Sequence, residues 1–103
     1  MLLPPEREEL RSKVVRLAAM VMESVQIASA ALLDMDLAMV ERMVQFDRET
    51  DQLAHEVEAG CVVALAKMQP AGAELRVLVS LLRITHELER TGDLMVSAAK
   101  AAR

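Results

Sequence analysis

Tryptophan and tyrosine are absent from this 103-residue chain, and Phe46 is its only aromatic residue. A β-sandwich or barrel leans on aromatic and β-branched side chains, so an all-β fold is excluded and an α/β fold nearly so. The same absence removes the stacking platforms on which single-stranded nucleic acid is held. Cys61 stands alone, which rules out an intrachain disulfide and suits a reducing compartment. Three glycines and three prolines leave room for very few turns. Basic excess is lacking too: a net charge of −4 argues against nucleic acid as a partner. Leu17 to Leu33, the least charged stretch, is interrupted by Glu23 and is expected to fall short of a membrane span. The start, Met1-Leu2-Leu3-Pro4-Pro5-Glu6, lacks the basic and apolar regions of a signal peptide. These readings predict a soluble, cytoplasmic protein.

What fills the chain instead is Leu, Ala, Met, Glu and Arg, the strong helix formers. Pro4 and Pro5 suit a first helical turn, where a missing N–H costs nothing. From there apolar residues fall at Leu10, Val14, Leu17, Val21, Val25, Ala28 and Leu32, alternating four and three. The pattern stops at Asp34-Met35-Asp36, whose aspartates suit capping. A second run continues to Met68, and Gln69-Pro70-Ala71-Gly72 breaks it. The third carries Val77, Leu81, Ile84, Leu88, Thr91, Met95 and Ala98 at helical spacing. The expectation is an all-α fold over residues 1–103, one domain with helices at about 5–33, 36–68 and 71–102. Short turns between helices of about 45 Å make neighbours antiparallel, giving an up-down-up, spectrin-like three-helix bundle. Helices one and three are apolar beyond a single stripe: Met20, Met22 and Ile27 flank the first, Leu75, Leu78, Val79, Leu82 and Val96 the third. That surplus face predicts a homodimer, against the alternative of two thick core helices.

Acidity is concentrated on the middle helix. Residues 34–66 carry eight acids against Arg42 and Arg48, a net of −6, while residues 70–103 carry four acids and five bases. Asp34 and Asp36 are explained by capping, but Asp47, Asp51 and Asp93 sit inside helices where Glu is the better former. Asp47 and Asp51 are four apart, as are Glu89 and Asp93, so each pair shares a face despite mutual repulsion. The midpoints of the two pairs, 49 and 91, are each twenty-one residues from Pro70, so an antiparallel hairpin brings four carboxylates to one level. Such a group either shares protons or binds a hard or borderline cation. His55 and His86, one turn away, are candidate nitrogen ligands. The blander alternative is surface ion pairing by Arg48 and Arg90, with both histidines solvated.

Four segments taken together carry a family resemblance: Asp36-Leu37-Ala38; Asp47-x-x-x-Asp51; Gln69-Pro70-x-x-x-Glu74-Leu75-Arg76; and Leu88-Glu89-Arg90-Thr91-Gly92-Asp93. In this order and spacing they resemble one repeat of the PhoU family, regulators of phosphate transport and signalling, from about Glu6 to Arg103. The resemblance implies a three-helix bundle with transition-metal ions, iron or zinc, on its acidic motifs. Carried over position by position, the ligands are Asp47, Asp51, Glu89 and Asp93. His86 lies outside the family motif. The resemblance also implies a non-enzymatic role, with contacts to the ATPase of the phosphate ABC transporter and to a phosphate-sensing histidine kinase, and membrane association only through those partners. One departure is large: the family usually carries two repeats in tandem and these residues hold one, so a homodimer would restore the missing half. The single module also resembles the PhoU-like domain attached to sodium–phosphate cotransporters.

Two alternatives belong to other classes. A carboxylate-bridged di-metal enzyme needs Glu-x-x-His pairs, and no Glu in this chain has His three residues later. A metal-free helical adaptor predicts that the four acids can become amides with no loss of stability. Cys61 lies in an apolar run and is expected to be buried and inert.

Overall fold

The computed structural model describes residues 4–102, with side chains over 6–67 and 69–101. The N-terminal residues Met1 to Leu3, on which the signal-peptide reading rests, lie outside them. Three helices follow in order: α1 (Pro4–Asp34), α2 (Leu37–Met68) and α3 (Ala73–Ala102). Each packs on both others, giving a rod of 49 × 18 × 16 Å. The expected bundle and its two breaks are present, with the prolines in the first turn of α1.

The ends of the helices are set by particular residues. Asp36 is the N-cap of α2, its carboxylate accepting from the N–H groups of Ala38 at 3.0 Å and Met39 at 3.3 Å. Asp34, expected to cap as well, is instead the last residue of α1. The reversal of direction falls on Met35, at φ 52°, and after α2 on Gln69, at φ 43°. Both are left-handed without being glycine, which costs each of them about 1–2 kcal/mol. Gly72, at φ 60°, takes the same region without that cost and precedes α3.

The core lies in three layers along the rod. Near the start of α1 it comprises Leu10, Val14, Val57, Cys61, Ala64 and Leu78. Leu17, Val21, Leu53 and Ala54 form the middle layer. At the far end are Ala28, Ala31, Val40, Met43, Val96 and Ala99. By length and composition alone, α1 over Glu6–Asp34 is long and apolar enough to cross a bilayer, with a hydropathy of 1.4, which exceeds the expectation for Leu17–Leu33. Its inner seam is nevertheless built into all three layers, and only 28% of that apolar window is buried.

Two ion pairs fix which flank of each helix meets which neighbour. Lys13 of α1 reaches Glu56 of α2 at 3.6 Å, and Arg7 of α1 reaches Glu74 of α3 at 3.6 Å. The second pair also shows that α1 and α3 are parallel, with their starts at one end of the rod.

Candidate metal centre

On the outer side of the α2–α3 seam, Asp47, Asp51 and Asp93 each offer a carboxylate oxygen, and these atoms all lie within 4.8 Å of one another. The antiparallel hairpin brings the two helices' acids to one level, as the spacing about Pro70 requires. Asp47 and Asp51 are half-buried and Asp93 is exposed, so the group opens to solvent on one side. Gly92, itself buried, leaves room beside it: a β-carbon at that position would stand 3.6 Å from Asp47 Oδ1. A side chain larger than alanine there would crowd the carboxylate.

The fourth expected acid takes another partner. Glu89 stands outside that group and has as its strongest side-chain neighbour Glu58, a residue that the spacing did not single out. Glu58 lies seven residues beyond Asp51, two turns along the same flank of α2, and that heptad step was the signal by which it could have been found. The acidic strip is therefore a trio, Asp47, Asp51 and Asp93, followed toward the α2–α3 turn by a carboxyl pair, Glu58 and Glu89.

Electrostatics follow from this crowding. Burial first, then the charges of Asp51 and Asp93, push Asp47 up to about 6. Lys100 opposes that rise without cancelling it. Asp51 is raised by burial and by Asp93, with His55 pulling the other way. Glu89 is raised to about 7 by burial, by its neighbour Glu58 and by the surrounding carboxylates. Surface ion pairing does not relieve the cluster: among the described residues the salt bridges join Arg7, Arg11 and Lys13 to Glu8, Glu9, Glu56 and Glu74, all elsewhere. Among the described residues no salt bridge closes on the acids, and Lys100 and His55 only partly offset their mutual repulsion.

The histidines contribute less than their spacing allowed. His55 Nδ1 is 2.9 Å from the backbone oxygen of Asp51, so an Nδ1–H donates there and the ring lies back along its own helix. His86 is exposed and lines a shallow hollow with Glu89, Arg90 and Asp93. Cys61 is buried, and burial together with Glu58 pushes its thiol up, away from the reactive thiolate. Oxygen donors alone form the compact group. That donor set suits a hard or borderline cation such as iron or zinc, so the residues fit the group that the resemblance implies.

Comparison with known proteins meets the same residues. The PhoU domain matches residues 14–102, which takes in the acid trio, both members of the Glu58–Glu89 pair and the two turns. The chain belongs to the PhoU family. Among its relatives, the phosphate-specific transport system accessory protein PhoU homolog of Pseudomonas aeruginosa is 33% identical over 98 residues, covering 95% of this chain and 39% of that protein. The homolog of Streptococcus pneumoniae is 33% identical over 96 residues, or 93% and 44% of the two chains. The Escherichia coli accessory protein PhoU is 27% identical over 97 residues, or 94% and 40%. The chain therefore spans about two-fifths of the length of these curated relatives. No solved structure matches.

Proposed function

We propose that this chain is a PhoU-type accessory module of phosphate uptake and phosphate signalling, non-enzymatic and cytoplasmic, that acts by binding metal and proteins. In this reading Asp47, Asp51 and Asp93 hold a transition-metal ion, iron or zinc, with Glu89 and its partner Glu58 adjoining. The ion would supply positive charge to an only partly compensated cluster and a point of attachment for an oxyanion such as phosphate. The module pairs as a homodimer and contacts the ATPase of the phosphate ABC transporter and a phosphate-sensing histidine kinase. Relatives named as accessory proteins of a phosphate-specific transport system support the assignment to phosphate uptake.

The observation that carries the metal reading is the convergence of three carboxylate oxygens within 4.8 Å, with no salt bridge to them among the described residues. Holding such a group together costs stability unless something positive is bound. Elemental analysis of the purified protein tests it. Near-stoichiometric iron or zinc, lost in the Asp47→Asn/Asp93→Asn variant, is the expected result. A protein that stays metal-free after reconstitution overturns the site and leaves a helical adaptor of the same family.

A further inference from the structure

We infer that the hollow on the outer side of α3, bordered by His86, Arg90, Asp93 and Ser97, receives a tetrahedral oxyanion held by Arg90 and by the bound metal together. The inference rests on the metal reading above and adds the ligand's second anchor. Arg90 is where the observation begins. Glu87 and Asp93 stand three residues to either side of it, a spacing at which ion pairs close along a helix. Arg11 makes such a pair with Glu8 at 2.8 Å. Among the described residues Arg90 closes a salt bridge with neither neighbour. The charges that offset the acids' mutual repulsion are instead those of Lys100 and His55. Arg90 is left over, and it lines the hollow beside His86 and Ser97.

Spacing and chemistry say what the hollow can take. His86, Arg90, Asp93 and Ser97 recur at four, three and four residues, so they form one stripe along α3. Three of them can donate hydrogen bonds, and the fourth is the exposed member of the acid trio. The hollow measures about 330 Å³ and opens to solvent. A guanidinium has no acceptor and cannot ligate a metal. Beside a cation it is repelled unless an anion lies between the two. Its planar fork matches two oxygens of a phosphate-like group and leaves the others free for a metal. Three carboxylates leave a transition metal at least one open coordination position. The trio and the hollow share Asp93, so one oxyanion can occupy that position and meet Arg90 on the same outer face. Charge makes this binding conditional. Glu89 and Asp93 both border the hollow, against Arg90 as its one permanent cation, so metal-free protein holds no net attraction for an anion there. A divalent ion on the trio reverses that sign.

Isothermal titration of inorganic phosphate into zinc-loaded protein, freed of excess metal, tests the hollow, using Arg90→Gln, Arg90→Lys and, as a control, Arg83→Gln. Arg83 is exposed, carries the same charge seven residues earlier on α3 and does not border the hollow. The expected result is phosphate binding that needs zinc and weakens at least about 10-fold in Arg90→Gln. Arg90→Lys should keep part of it, and Arg83→Gln should stay within about twofold of the wild type. Both Arg90 variants should hold as much zinc as the wild type, since removing a nearby positive charge does not weaken a cation site. Unchanged phosphate affinity in Arg90→Gln, equal losses in Arg90→Gln and Arg83→Gln, or binding that persists in chelator each overturn the anchor. A zinc-loaded wild type that binds no phosphate overturns the inference and leaves the metal site standing. A wild type that holds no zinc overturns both. Phenyl phosphate then separates two sources of the same group. Binding as tight as that of inorganic phosphate, and lost in Arg90→Gln, supports a phosphoryl group carried on a larger molecule, while its exclusion supports free phosphate as the occupant.

Discussion

Helix α3 presents two flanks that differ in almost every respect. Toward α2 it carries Glu89 and Asp93, which meet further acids, and this crowding helps to raise the pKa of Asp47, Asp51 and Glu89. Toward α1 it carries Leu81, Leu88 and Met95, with Ile84 left half in solvent. Neither flank is what stability alone would select. Apolar residues at 47, 51 and 93 would strengthen the bundle, and polar ones at 15, 22 and 84 would improve its solubility. Both departures make sense if something outside the chain completes each flank, a cation on one and a protein surface on the other.

Restoring charge balance on the acidic flank is expected to have the largest effect. Zinc at about 100 times its dissociation constant would stabilise the folded wild type by about 2.7 kcal/mol. That gain should vanish in Asp47→Asn/Asp93→Asn, whose metal-free form is expected to be the more stable of the two apo proteins. Thermal unfolding of both, with zinc and with chelator, checks this. Equal zinc stabilisation in both would place the ion elsewhere.

Protons offer a gentler way to the same flank. Asp47 at about 6 and Glu89 at about 7 both lie above their ordinary carboxyl values. A carboxyl whose pKa is raised by folding binds more protons folded than unfolded. Unfolding free energy therefore falls as pH climbs from about 4 to about 7. Metal-free protein is expected to lose a few degrees of melting temperature between pH 5 and pH 8, on the order of the shift that 1 kcal/mol produces. Asp47→Asn/Glu89→Gln should flatten the profile. A melting temperature that rises over that range in metal-free wild type would contradict the only partly compensated cluster.

The smallest expected change lies between the flanks. Thr85 is fully buried and its hydroxyl has no hydrogen-bond partner among the described residues. Thr85→Val keeps the shape and removes the unpaired polar atom, and should raise unfolding free energy by about 1 kcal/mol. Urea titration reads this directly, and a destabilised variant would reveal a partner for that hydroxyl.

Much of this architecture was legible before folding. The alternation of four and three in α1 and α3, the Pro-Gly break and the Asp36 cap are local signals, and local signals survive in a long helical hairpin. The level of Asp47, Asp51 and Asp93 followed from counting outward from Pro70. The same count set Glu89 at that level; it feels the charges of Asp51 and Asp93 but stands outside the group within 4.8 Å, nearer Glu58, which the count did not include. The left-handed turns at Met35 and Gln69 were hidden for a different reason, since neither residue type advertises that conformation. Composition showed that apolar surface was in surplus, but only the Arg7–Glu74 and Lys13–Glu56 pairs identify the flank on which it gathers.

Cys61 sits at the centre of the layer nearest the α2–α3 turn, with no solvent exposure. As the chain's only thiol, it is a built-in clock for opening of the rod. An alkylating reagent reaches it only when α1 and α3 part from α2, so its labelling rate counts those events. The same protein, unmodified and followed by mass, would then report how strongly metal on one flank, or a partner on the other, holds the three helices shut.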